Sequence, residues 1–152
     1  MNNINENIKL KGQFNIKHIR DGKVIDERTY DNIIVNGGKA AVAGLILNDV
    51  TGIDKFDYIA IGTGTTEENA TQTALVNEVM RTNATGSRVT TTVTDDTAQL
   101  VATFNFSSSY AITEAGVFNA SSNGIMLCRK VFSAINVGNG DALQITYKIV
   151  VS

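Results

Sequence analysis

The stretch Ala98-Gln-Leu-Val-Ala-Thr-Phe-Asn-Phe106 alternates without a break: Ala98, Leu100, Ala102, Phe104 and Phe106 occupy every second position. Successive side chains of a strand point to opposite faces, so a period of two sets one apolar row against a core and leaves the other row to face out. A helix would need apolar groups about every 3.6 residues. The reading extends outward from this strand. Upstream, Arg88 to Thr94 is rich in β-branched residues and runs into Asp95-Asp96, a turn. Downstream, Ile112 to Phe118, Ile125 to Phe132 and Leu143 to Val151 read as strands. Ser121-Ser122-Asn123-Gly124 and Gly138-Asn139-Gly140-Asp141 between them have turn chemistry.

The N-terminal half has the same character. Ile8, Leu10, Phe14 and Ile16 alternate with lysines and amides up to His18, and Asp21-Gly22 supplies the positive φ of a tight hairpin. Val24 to Val35 is the returning strand. After Asn36-Gly37-Gly38, the run Lys39 to Leu47 places Ala41, Val42, Leu45 and Ile46 at helical spacing, with Asn36 or Gly37 near the cap. Tyr58 to Ile61 is a short buried strand ending in the loop Gly62-Thr63-Gly64-Thr65-Thr66, and Glu67 to Val76 has room for one helical turn. About eight strands and one short helix predict a mainly β protein, an antiparallel β-sandwich or flattened barrel with the helix over one edge or end. Residues 1–152 read as a single domain with 1–7 as a flexible tail.

A chain of 152 residues buries roughly 68–70% of its unfolded surface, enough for a core without a disulfide or metal. Charged residues make up only 18%, so the surface relies on Asn, Thr, Ser and Gln. The net charge of −2 and the scattered lysines and arginines leave no nucleic-acid footprint. No apolar run reaches the length of a membrane helix, and Met1 to Leu10 lacks the apolar core of a secretory signal. No nucleic-acid or membrane partner is expected.

Each candidate for chemistry has a simpler structural reading. Cys128 has no second cysteine to pair with and reads as a small buried hydrophobe. His18, the single histidine, cannot build the usual zinc site, and no G-x-S-x-G elbow is present to form a triad with it. Gly62 to Thr66 lacks the third glycine of a dinucleotide loop and the Gly-Lys-Ser/Thr of a P-loop. Asp95 and Asp96, being adjacent, suit a turn better than an acid/base pair. Asp49, Asp54 and Asp57 offer oxygens to calcium without the spacing of an EF-hand. Glu114 is the most informative of the set. Strand alternation puts it on one face with Ile112, Gly116 and Phe118, where a carboxylate needs a partner, and Arg129 across the Asn119 to Gly124 hairpin is placed to supply one. No catalytic, cofactor-binding or metal residue is assigned, and no cofactor is expected.

Several segments resemble those of small virion proteins of tailed bacteriophages, the tail- or neck-associated and capsid-decorating kind. They are Tyr30-Asp-Asn-Ile-Ile-Val-Asn-Gly-Gly38, Tyr58-Ile-Ala-Ile-Gly-Thr-Gly-Thr-Thr66, Thr73-Ala-Leu-Val-Asn-Glu78 and Ile112-Thr-Glu-Ala-Gly-Val-Phe-Asn-Ala120, followed by Gly124 to Arg129 and Ile135 to Asp141. The resemblance implies a non-catalytic structural subunit of the virion, made in the host bacterial cytoplasm. It would be a capsid cement subunit or a neck or tail adaptor, contacting itself as a homo-oligomer and other virion proteins. The alternative is a carbohydrate- or receptor-binding β-sandwich of a tail fibre, although the chain has no Trp and only four Tyr for an aromatic platform. A last expectation concerns edges. The chain has no proline, and Ala98 to Phe106 and Leu143 to Val151 are long, regular and thinly charged, so self-association or docking through these strand edges and through loops is expected, a closed barrel that hides them being the alternative.

Overall fold

A computed structural model of the protein describes residues 7–48 and 53–152. The expected tail at 1–7 lies outside the described residues except for Asn7, and Asp49 lies outside them as well. The elements in chain order are β1 (Leu10–Arg20), β2 (Lys23–Asp31), β3 (Ile33–Ile34), α1 (Asn36–Leu47), β4 (Tyr58–Gly62), β5 (Glu78–Asn83), β6 (Thr85–Val89), β7 (Thr97–Asn105), β8 (Tyr110–Phe118), β9 (Met126–Val137) and β10 (Ala142–Val151). They form two antiparallel five-stranded sheets, β2-β1-β10-β7-β6 and β3-β9-β8-β4-β5. The protein is a β-sandwich with one short helix.

The two sheets share their edge chains. β2 becomes β3, and so changes sheet, across the single residue Asn32; β5 becomes β6 across Ala84, whose N–H is held by Asp57 O at 2.7 Å. Val24 to Val35, expected as one returning strand, is therefore one extended run that turns a corner of the sandwich. The strand β5, which carries little period-two signal, and the break at Asn32 account for the ten strands among the described residues where about eight were expected. β6 stops at Val89 and not at Thr94.

The core fills the space between the sheets. Phe14, Ile16, Leu100, Ala102, Phe104, Leu143, Ile145 and Tyr147 come from one sheet and Ile59, Ile61, Ile112, Ala115, Val117, Ile135 and Val137 from the other. Each large side chain so buried contributes about 1.5–3 kcal/mol relative to exposure. The outer row of the first sheet is polar, but the second sheet is covered on both sides, and from Ile112 to Phe118 every residue of β8 is buried. A second apolar cluster, Val35, Ala60, Leu75, Phe118 and Met126, lies on its outer side.

The strands that looked like edges are not edges. β10 is the centre of its sheet and β7 lies between β10 and β6. Their thin charge follows from neighbours on both sides, and the expectation of pairing through them is corrected.

The helix also differs from its sequence reading. It begins at Asn36 behind Val35, with no side-chain cap; the Asn36 N–H is satisfied by Ala70 O at 2.8 Å. Its buried face is Gly38, Ala41 and Gly44, packed toward β9, while Leu45, Ile46 and Leu47 are exposed. Small residues face inward because the helix backbone lies directly on Leu127.

Candidate functional site

Glu114 and Arg129 have no exposed surface. β8 places the carboxylate through an irregularity: the β8–β9 register shifts between Ile112 and Glu114. The additional residues are on β9, where Phe132, Ser133 and Ala134 lie between the partners of Glu114 and Ile112 while β8 has only Thr113 there, and across this shift the alternation of β8 breaks. Ile112, Ala115 and Val117 face the core between the sheets, whereas Phe118 belongs to the outer cluster and Gly116 faces Leu75 of the β4–β5 connection. Ile112 and Glu114 are thus on opposite faces, contrary to simple alternation.

On that outer side the β4–β5 connection, residues 63–77, closes over the carboxylate. Glu114 Oε1 accepts the N–H groups of Gly64 at 3.0 Å and Asn77 at 2.7 Å, and Oε2 accepts that of Val76 at 3.0 Å. Arg129 Nε donates to Oε2 at 2.9 Å, and Nη2 lies 2.8 Å from the same oxygen. Arg129 Nη1 reaches on to Thr66 O at 2.8 Å and Gln72 Oε1 at 3.0 Å, and Thr113 Oγ1 donates to Gly64 O at 2.7 Å. The loop Gly62-Thr63-Gly64 cradles an anion after all, and the anion is the protein's own. A Cβ on Gly64 would sit 2.5 Å from Glu114 Oε1 and from Val76 Cβ, so this close approach requires glycine.

Burial pushes the Glu114 pKa up, but the N–H groups of Asn77 and Val76, Arg129 and the Gly64 N–H outweigh it and hold the group below the ordinary value. A carboxylate kept ionised, with both oxygens committed to donors, is a fastening and not a proton donor. Residues 67–76 consequently need no helical turn: they run as bends and turns pinned by side chains. Glu68 adds a second fastening that the sequence reading missed, pairing with Lys130 Nζ at 2.7 Å and accepting the Val131 N–H at 3.1 Å.

Arg81 is a third such residue, also missed. It grips Glu78 at 2.6 and 3.0 Å, donates to Ala120 O and Asn123 O at 2.9 Å each, and lies 3.8 Å above the Phe118 ring. The available signal was an arginine in a segment that must cross apolar surface, and strand periodicity does not register it.

His18 meets an aspartate, as a triad would require, but the aspartate is spent. Asp141 Oδ2 lies 2.8 Å from His18 Nε2, accepts Arg20 Nη2 at 2.8 Å and the Gly138 N–H at 2.9 Å, and Oδ1 accepts Arg20 Nε at 2.9 Å. Among the described residues no serine hydroxyl bonds His18. The group locks the turn between β9 and β10. Cys128 is fully buried; desolvation pushes its thiol up to about 12, against the opposing effects of Tyr147, Val117 and Asn32. It is a core residue. Asp57 pairs with Lys55 Nζ at 3.6 Å and with Asn83 Nδ2 at 3.2 Å, and no group of three metal-ligating side chains occurs among the described residues. Asp95 and Asp96 form the expected turn, but Asp96 does more. Its carboxylate collects the N–H groups of Thr91, Thr92 and Val93, all at 2.8 Å, and winds the β6–β7 loop around itself.

These internal anions make stability pH-dependent. The Arg20 guanidinium, then His18 and the Gly138 N–H, hold Asp141 well below the usual carboxylate range; the N–H groups of Val93, Thr91 and Thr92 do the same for Asp96. Folded values lie below the unfolded value of about 3.9, so the unfolded chain binds more protons as pH falls. Their stabilisation is complete above about pH 5 and is lost progressively below it. The urea midpoint is expected to fall steadily on acidification from there, and more gently in Asp96→Asn. A midpoint that does not move between neutral and strongly acidic pH contradicts this assignment.

Fold and site together define a β-sandwich whose buried ionic groups fasten its own loops. Comparison with protein-family models, curated proteins and solved structures finds no match to any of them.

Proposed function

We propose that this chain is a non-catalytic structural component of a tailed-phage virion, a capsid-decorating or cement subunit or a neck or tail adaptor. It is made in the host cytoplasm and assembles by contacts with itself and with other virion proteins. One observation carries the reading: four of the segments that bear the resemblance meet at the Glu114–Arg129 pair. Gly64 and Thr66 come from the first, Val76 and Asn77 from the second, Glu114 from the third and Arg129 from the fourth. That convergence supports a framework role for the segments that bear the resemblance. The exposed run Leu45, Ile46 and Leu47, with exposures of 43%, 78% and 69%, adds an apolar surface of the kind protein partners cover.

The carbohydrate-binding alternative keeps one supporting feature, a shallow groove across the first sheet lined by Gln13, Asn15, Lys17, Thr29, Gln99 and Thr146. It has amides and hydroxyls but no aromatic platform. Quantitative mass spectrometry of gradient-purified particles is the test. The chain is expected in a fixed multiple per particle, with no saturable signal on a glycan array. Recovery only in the soluble fraction of the lysate overturns the reading.

A further inference from the structure

Of the four sheet edges, three carry a guard. β2 bears Lys23, Asp26, Glu27, Arg28 and Asp31, its pairing with β1 is irregular at His18/Ile19, and Arg28 ties it across to Ser133 O at 2.7 Å. β3 is two residues long and runs into α1. β5 is irregular opposite Ile61/Gly62 and carries the Glu78–Arg81 pair. Charges, bulges and shortness are the usual means of keeping an edge from pairing.

β6 has none of these except one arginine, Arg88, whose Nη2 lies 4.0 Å from Asp95 Oδ2 on the β6–β7 loop, at the limit of an ion pair. Its sequence is Thr85-Gly86-Ser87-Arg88-Val89, its register with β7 is unbroken, and Thr85 to Arg88 are exposed. Among the described residues its backbone pairs with β7 alone, which leaves the N–H and C=O groups on the other side open. Gly86 is a second, independent sign. It does not adopt a positive φ, and a Cβ there would meet only Leu100 Cδ2 at an ordinary 3.5 Å. Among the described residues nothing requires glycine at this position. A strand glycine often marks a bulge, a tight bend or the close approach of another backbone, and the unbroken β6–β7 register leaves no bulge here.

We infer that β6 pairs with β6 of a second copy, antiparallel about a two-fold axis at Ser87, joining the two five-stranded sheets into one continuous sheet. The two-fold register explains the composition. Ser87 faces Ser87 of the partner subunit, Thr85 faces Val89, and Arg88, the strand's one charge, faces Gly86. The arginine therefore avoids its own copy and lies against the residue without a side chain. Contacts of this kind are isologous and close on themselves, giving a dimer and not a fibre. The surface deepens the assembly reading above by naming one contact within it, and rests on that reading only for its biological use.

Sedimentation velocity on the full chain tests it. Ser87 shares the polar outer face with Gln99, so a longer side chain there leaves the core untouched. The wild type is expected to reach a dimer as concentration rises. Ser87→Lys and Ser87→Glu, each setting like charges opposite one another, are expected to remain monomeric with an unchanged circular dichroism spectrum. An equimolar mixture of the two is expected to dimerise again, because Lys then faces Glu. A wild type that stays monomeric, a Ser87→Lys chain that dimerises as the wild type does, or a mixture that stays monomeric overturns the inference. Incorporation into particles is read separately: a monomer that still joins the particle removes this contact and leaves the virion reading standing, and a dimer absent from particles does the reverse.

Discussion

Arg129→Met is expected to lower the free energy of unfolding by about 3–5 kcal/mol, because it leaves Glu114 charged, enclosed and without its cation. For a chain of this size the expected fall in Tm is on the order of 10 °C. Glu114→Gln is expected to be damaging as well, since an amide turns one acceptor into a donor facing the N–H groups of Gly64, Val76 and Asn77. A double replacement by Leu and Met removes both charges, and in many proteins that is close to neutral. Here it is not expected to restore stability fully. Three loop N–H groups lose their acceptor, and each unsatisfied donor costs about 1–3 kcal/mol. Urea unfolding of the single and double variants measures the difference. A loss below about 1 kcal/mol for Arg129→Met would show that the pair does not hold the loop, since exposed pairs reach only that value.

Gly38→Ala and Gly37→Ala are expected to change stability in opposite directions, although they are neighbours in the same helix. In a free helix alanine is better than glycine by about 1 kcal/mol. A Cβ on Gly37 meets only Ile125 Cγ2 at 3.9 Å, so that variant keeps part of the gain. At Gly38 the Cβ collides with the backbone of Leu127, lying 2.8 Å from its Cα and 3.0 Å from its carbonyl carbon, and a backbone cannot swing aside. Lifting α1 off β9 is expected to cost about 1–3 kcal/mol. Two thermal melts decide the point. If both variants are stabilised, the helix does not lie on β9 as closely as described.

The alternation of Ala98 to Phe106, the hairpin at Asp21-Gly22 and the turns at Asn123-Gly124 and Gly138 to Asp141 were sufficient to read a mainly β protein, a sandwich or flattened barrel, from the sequence. The structure has positive φ at Asp21, Gly22, Asn123, Gly124 and Gly140. Such features are local: a period of two and a positive φ are set by residues a few positions apart, so they survive without knowledge of neighbours. The pairing of Glu114 with Arg129 was also legible, because a charge inside an apolar strand must be answered by a charge on the strand beside it.

The tertiary structure alone decided which side of the sheet that pair occupies, which strands are edges, and what Gly62-Thr63-Gly64 holds. The register shift between Ile112 and Glu114 breaks the alternation of β8, and no composition rule signals such an irregularity. Edge or centre is a property of strand order, and a thinly charged strand looks the same whether partners of its own chain or of another cover it. The glycines of the loop fit any anion; that the anion is Glu114, 50 positions away, follows from closing a long connection over a sheet face. Long-range contacts of this kind depend on where the whole chain goes, which is why local sequence pattern carries no trace of them.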